Sequence, residues 1–326
     1  MKVLITGGAG FLGQRLAREL LARGELKDAH GTPRAITGLV LLDVVRAHDF
    51  GDARVRADVG DIAERSVLER VIDDQTSAIF HLAAIVSGQA EADFDLGMRI
   101  NLDASRLLLE VCRQRGHQPR VVFTSSVAVY GGDLPTVVQD DTALNPQSSY
   151  GAQKAIAELL LNDYSRRGFV DGRVLRLPTI SVRPGRPNAA ASSFASGIIR
   201  EPLNGEEAVC PVAGSTRLWL LSPRKAIDSL IAGLELDGAA LGKQRVLNLP
   251  GLSVSVDEMI AALREVAGEA VASRIVRQPD ERIEKIVGSW PGAWDTSRAE
   301  RLGLVAEHNF ADVIRGYIAD EGIEVR

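Results

Sequence analysis

The chain has 326 residues, 45% of them hydrophobic and 25% charged, which suits one large or two small soluble domains able to bury about three-quarters of the unfolded surface. A net charge of -5 argues against a nucleic-acid partner, because phosphate backbones call for a clustered basic surface. Cys112 and Cys210 lie far apart without metal-ligand spacing and read as buried thiols, and no His/Cys/Asp cluster suggests a metal. With no run of about 18 apolar residues and no signal-like start, the sequence predicts a cytosolic protein that neither spans nor binds a membrane.

In chain order, Val3 to Ile5 read as a strand buried on both faces, followed at once by a glycine turn and an amphipathic helix through Leu16, Leu20 and Leu21. Two glycine spacings fit a dinucleotide cradle there: Gly8, Gly10 and Gly13, or Gly7, Gly10 and Gly13. One glycine makes the bend, one admits a diphosphate to the backbone, and one lets the helix pack closely. The residues from 24 to 38 form a polar surface excursion. Leu39 to Leu42 is a second buried strand, and Asp43 at its end has the place of the acid that binds an adenosine ribose. A carboxylate there repels a 2'-phosphate and favours NAD over NADP, although Arg46 is close enough to leave NADP open.

Strands follow at 54–58, 78–81 and 120–125, with helices at 66–72 and 94–115 between them. This alternation to about residue 177 predicts an α/β fold with a doubly wound parallel sheet. Beyond it Pro178, Pro184 and Pro187 break the regularity. The expected organisation is a dinucleotide-binding domain over 1–177 and a smaller, mixed, mainly substrate-binding lobe over 178–326, some segments of which return to the first sheet.

The chemistry is carried by Ser126 at the end of the fifth strand and by Tyr150 and Lys154, one helical turn apart on one helix face. Chance placement predicts only about 0.1 Tyr-x-x-x-Lys in a chain so poor in both residues. A phenol titrating near 10 needs help to act as a base near neutrality, and the Lys154 ammonium would favour the phenolate. Ser126 is placed to hold the substrate oxygen that Tyr150 deprotonates.

The glycine turn, Asp43 and the Ser126, Tyr150 and Lys154 triad together resemble the extended short-chain dehydrogenase/reductase family, which includes NAD-dependent epimerases and dehydratases, and the resemblance covers essentially the whole chain. It implies that Tyr150 is the general acid/base, that Lys154 also binds the nicotinamide ribose and that Ser126 orients the substrate. It also implies that the turn from Gly7 through Phe11, Leu12 and Gly13 holds the diphosphate, that Asp58 and Val59 lie at the adenine, and that Leu82, Ala83, Ala84 and Thr124 lie along the cofactor. Asn101 is implied in a proton-relay helix and Pro178 to Ile180 beside the nicotinamide. The segments 175–185, 188–197 and 200–203 resemble family members that oxidise the C2 hydroxyl of a four-carbon sugar acid, and Ser289-Trp290-Pro291 resembles the short-chain type of L-threonine dehydrogenase. Leu218 to Pro223 departs from the Val-Asp-Asp pattern usual in sugar-nucleotide epimerases.

An acid substrate needs cations, and Arg176, Arg183, Arg186 and Arg200 crowd the region expected to cover the pocket, with Arg183 the first choice for the carboxylate. Ser87, Thr179 and Asn188 are the further substrate-binding candidates, and His81 reads as a structural strand-end histidine. An NAD-linked dehydrogenase of a small 2-hydroxy sugar acid is the reading that follows. An L-threonine 3-dehydrogenase-like enzyme, a sugar or sugar-nucleotide epimerase or dehydratase, and a non-catalytic NAD-binding protein remain the alternatives. A homodimer through the helices at 94–115 and 150–167 is what the resemblance implies.

Overall fold

The continuous apolar runs become the strands of one sheet in the computed structural model, which describes residues 1–187 and 190–324. In chain order the strands are β1 Lys2–Thr6, β2 Gly38–Asp43, β3 Val55–Val59, β4 Thr76–His81, β5 Arg120–Ser126, β6 Asp171–Leu177, β7 Thr179–Ile180, β8 Arg217–Leu221, β9 Val246–Asn248 and β10 Leu252–Ser255. The helices used below are α1 Phe11–Arg23, α2 Arg65–Val71, α3 Ser87–Ala92, α4 Ala104–Arg115, α5 Ser149–Arg166, α6 Phe194–Leu203, α7 Pro223–Glu235, α8 Val256–Ala267 and α9 Phe310–Glu321.

Seven strands form a parallel sheet in the order β9-β6-β5-β4-β1-β2-β3. Alternate residues of each strand feed opposite cores, so both faces must be apolar. Val3, Ile5, Leu39 and Leu41 pack with Leu16 and Leu20 of α1 and with Ile227, Leu230 and Leu234 of α7. Leu4, Val40, Ile79 and Val121 pack with Leu68 of α2, Leu108 of α4 and Leu161 of α5. The order reverses beside β1, and the carboxyl ends of β1 and β4 open into a crevice there, the place where such sheets bind ligands.

The second half is not wholly separate from this sheet. β9 pairs with β6, and α7 covers the face shared by β5 and β6. The remaining chain forms a lobe with its own core around Phe194, Ile198, Leu220, Met259, Leu263 and Ile314, and with a small sheet β10-β8-β7. The polar excursion after α1 holds a short hairpin, Glu25–Lys27 paired with Pro33–Ala35. The helix expected over 94–115 is interrupted: Phe94–Gly97 leads into a π-helical stretch, Met98–Asp103, before α4. Among the described residues no helix is long and apolar enough to cross a membrane.

Candidate active site

A cavity of about 580 Å³ lies at the crevice between sheet and lobe. Its floor is the turn between β1 and α1, where Gly7, Gly10, Phe11, Leu12 and Gly13 all line the wall. Of the two glycine spacings, the one beginning at Gly7 therefore faces the cavity. Gly7 has φ 71°, and a Cβ on Gly13 would stand 2.2 Å from the Gly7 carbonyl oxygen. The turn is thus as tight as backbone allows. α1 begins behind Gly10 with no side-chain cap and no acidic residue in its first turn, so its leading amides are left to an external anion. These features fit a dinucleotide diphosphate.

Asp43 lines the same cavity, and one carboxylate oxygen accepts the Ala9 N–H at 3.0 Å, which ties β2 to the turn. Leu82, Ala83, Ala84 and Ser87 follow along the wall from the end of β4 into α3. Thr124 and Ser126 from β5, Tyr150 and Lys154 from α5, and Pro178, Thr179, Ile180 and Arg183 from the start of the lobe complete it. Among the described residues no group of His, Cys, Asp and Glu is placed to hold a metal.

Three residues expected at the cofactor, Asp58, Val59 and Asn101, lie off the cavity wall. Asp58 and Val59 do not line the cavity: the Asp58 carboxylate is held by Arg70 at 2.6 Å and Arg56 at 3.4 Å, and Val59 is 50% exposed. The strand runs one residue further than its apolar pattern suggested, so Gly60, Asp61 and Ile62 take that wall instead. Asn101 is 1% exposed and lies behind the wall, where its carboxamide accepts from Ile85 N–H at 2.8 Å and donates to Ile85 C=O at 3.0 Å and to the Gln153 side-chain oxygen at 2.7 Å. It fixes the backbone of the wall residue Ile85. Asn188 lies outside the described residues. Sequence reasoning missed Arg99, which pairs with Asp61 at 2.5 Å, and Trp290, which covers the cavity from the lobe. The Gly-Asp-Ile run after β3 was the available signal for Asp61 and Ile62.

The triad is brought together by a close approach. Ser148 caps α5 by accepting the Gly151 N–H at 3.2 Å, and a Cβ at Gly151 would stand only 2.0 Å from the Ala128 carbonyl oxygen. Glycine therefore lets the first turn of α5 press on the segment after Ser126, and Ser126 and Tyr150 come to line the same cavity. Lys154 is 1% exposed, and its ammonium donates to the Thr124 carbonyl at 2.9 Å while standing 4.6 Å from the Phe123 ring centre and 5.7 Å from that of Tyr150.

The titration behaviour differs from the sequence expectation. Burial pushes Tyr150 up to about 12, with the Ser126 hydrogen bond opposing. Burial pushes Lys154 down to about 7, with the Glu158 carboxylate opposing. Burial thus acts against the charged form of both groups.

Under the wall His81 is fully buried, and burial with the nearby Lys154 charge pushes it down to about 3. Its hydrogen-bond directions follow from its neighbours. Ser105 Oγ donates to the Asn101 carbonyl at 2.7 Å, so it accepts from His81 Nε2–H at 2.9 Å. Nδ1 is then the acceptor for Thr6 Oγ1–H at 2.7 Å, and Thr6 Oγ1 accepts the Ala83 N–H at 3.2 Å. The neutral imidazole joins the cavity wall at Ala83 to the helix of Asn101.

The four arginines separate. Arg176 forms a buried ion pair with Glu158 at 2.7 Å, and Arg200 pairs with Glu201 at 2.5 Å. Arg186 is exposed. Arg183 is half-buried on the cavity wall, and its guanidinium has no carboxylate partner among the described residues.

A sequence model of the NAD dependent epimerase/dehydratase family matches residues 3–220. The chain belongs to that family. Within it, the chain is 67% identical over 323 residues to a D-erythronate dehydrogenase of Cupriavidus necator, covering 99% of both chains. A D-erythronate dehydrogenase of Haemophilus influenzae is 49% identical over 98% of this chain and 99% of its own. A crystal structure described as a nucleoside-diphosphate-sugar epimerase from Agrobacterium tumefaciens is 46% identical, superposes with a TM-score of 0.93, and covers 100% of this chain and 96% of its own. This family membership accounts for the NAD-type floor of the cavity and for the triad facing it.

Proposed function

We propose that this protein oxidises the C2 hydroxyl of a small sugar acid, D-erythronate to 2-oxo-tetronate, with NAD as the acceptor. The observation that carries the reading is the meeting, on one cavity wall, of Ser126, Tyr150 and Lys154 with Arg183, which has no carboxylate partner among the described residues. The full-length likeness to D-erythronate dehydrogenases supports the choice of acid.

The bound dinucleotide supplies the two-electron acceptor. Gly7, Gly10, Phe11, Leu12 and Gly13 hold its diphosphate, and Asp43 takes the adenosine ribose, which supports NAD over NADP. Leu82 to Ala84, Thr124, Pro178 and Ile180 bound its nicotinamide half. Ser126 Oγ holds the C2 hydroxyl oxygen, and the Tyr150 oxygen takes its proton as the C2–H electron pair leaves. Lys154, once charged, favours the phenolate and reaches the ribose. Arg183 takes the carboxylate, with Ser87 and Thr179 beside the remaining hydroxyls. We further propose a cytosolic homodimer. Phe94 at 58% exposure, with Ile156 and Leu159 on α5 at 43% and 67%, offers an apolar face on the helices concerned.

A second reading, sugar-nucleotide epimerisation, is favoured by the description of the A. tumefaciens structure. Against it, the stretch Leu218 to Pro223 lacks the Val-Asp-Asp pattern usual in sugar-nucleotide epimerases. Absorbance of NADH separates the two. Four-carbon sugar acids of each configuration and L-threonine are offered with NAD, and accumulation is expected with D-erythronate. No accumulation with any acid would sink the proposal.

A further inference from the structure

A recess of about 20 Å³ opens off the main cavity and shares Ile180, Arg183, Ala190 and Ser192 with it. Its remaining walls are Arg186, Arg200, Ser193 and Ser196. Three guanidinium groups thus surround a space that holds about one water-sized group.

Charge does not balance there. Arg200 is engaged: it donates to the Arg183 carbonyl at 2.8 Å and to Glu201 at 2.5 Å. Arg183 and Arg186 have no carboxylate partner among the described residues. Burial, and then the charge of Arg200, push the Arg183 guanidinium below its ordinary value, as expected of a cation held beside another without an anion. The backbone under Arg183 is firmly placed. Its N–H donates to Ser196 Oγ at 3.0 Å, Arg200 holds its carbonyl, and Ser181 Oγ donates to the Ala195 carbonyl at 2.9 Å, so α6 fixes the strand end that carries the guanidinium. Ser196 accepts that bond, and its own proton has no acceptor among the described residues.

We propose that this alcove is an oxyanion subsite that takes one anionic end of a ligand lying in the main cavity, with Arg183 and Arg186 as its charged donors and Ser196 as its hydroxyl donor. A space this small admits one oxygen-bearing edge of an anion, with the rest of the group left in the main cavity that it opens from. Two oxyanions reach this part of the cleft. One is the substrate carboxylate, a source that rests on the proposed function. The other is the dinucleotide diphosphate, since the Arg183 guanidinium carbon stands 5.8 Å from the ring centre of Phe11, the first residue of α1.

Sulfate serves as the probe, titrated calorimetrically into the whole protein at constant ionic strength without substrate. Wild type is expected to bind it saturably, and Arg183→Gln and Arg186→Gln each to weaken it about tenfold or more, the loss of one charge-assisted hydrogen bond. Arg186 is exposed, so its replacement leaves folding untouched. No saturable binding by wild type, or unchanged affinity in both variants, overturns the subsite. ADP-ribose affinity and the KM for D-erythronate then name the source. A KM rise with unchanged ADP-ribose affinity assigns the carboxylate, and a loss of ADP-ribose affinity with unchanged KM assigns the diphosphate. Because sulfate and ADP-ribose binding need no turnover, a failure of D-erythronate to be oxidised leaves the subsite test readable.

Discussion

Tyr150 is pulled in two directions by its surroundings. Burial holds its proton, and the groups meant to release it are a serine hydroxyl and a lysine that is itself pushed down to about 7. Added positive charge in the cavity favours the phenolate and so favours release of that proton. Tyr150→Phe removes the proton acceptor and leaves the wall shape, so kcat is expected to fall by about 10²- to 10⁴-fold while NAD affinity measured by calorimetry changes little. Near-normal turnover would remove Tyr150 from the chemistry. His81 makes a different prediction. Its folded value of about 3 lies below the ordinary 6.5, so the unfolded chain binds the extra proton between those values. Stability is then full above about 6.5 and is lost as pH falls toward 3, by about 1.4 kcal/mol per pH unit from this residue. Urea unfolding at several pH values checks it: His81→Gln should flatten that slope, and an unchanged slope would assign the acid sensitivity elsewhere.

At the scale of the element, β1, its turn and α1 were legible because one pattern served three demands: a buried strand, a glycine bend and an amphipathic helix. The approach of backbone to backbone that decides the turn shows only in three dimensions. Gly13→Ala would drive a methyl into the Gly7 carbonyl. The turn must shift, with a cost of about 1–3 kcal/mol in stability and about a tenfold or greater loss of NAD affinity. Thermal unfolding and calorimetry read the two effects, and wild-type values for both would show the turn to be more yielding than its geometry. The misread positions share a cause. Asp58 and Val59 came from the resemblance, and because a strand end cannot be fixed to a residue from an apolar run, a short slip exchanges a wall residue for one that faces Arg70. Asn101 sits in a π-helical stretch, whose extra residue per turn redirects side chains in a way that helical periodicity does not reveal. Tyr150 and Lys154 fall together on the cavity wall because an i,i+4 spacing keeps two side chains on one helix face wherever the helix begins.

The buried pair between Arg176 on β6 and Glu158 on α5 extends the face of Tyr150 and Lys154 by one more turn, and Arg176 also donates to the Tyr130 hydroxyl. At the scale of the whole molecule this network sits where the two halves meet, for Asn248 of β9 accepts from the same Tyr130 hydroxyl at 2.9 Å. The Arg120 and Arg173 side chains likewise donate to carbonyls at the end of α7, Leu234 at 2.9 Å and Leu236 at 2.7 Å. A fragment ending at Leu177 would lose β9 and α7, expose Leu175 and Leu177, and strip those guanidinium groups of their α7 carbonyl acceptors, so it is expected not to fold on its own. In the intact chain the consequence is cooperativity across the residue-177 boundary. Its 3 tryptophans, Trp219, Trp290 and Trp294, all lie in the second half, so their fluorescence reports the lobe while far-ultraviolet circular dichroism reports the whole. The two urea transitions should coincide. A fluorescence midpoint well below the dichroism midpoint would instead mean that the lobe unfolds first, and that the shared sheet and α7 do not couple the halves.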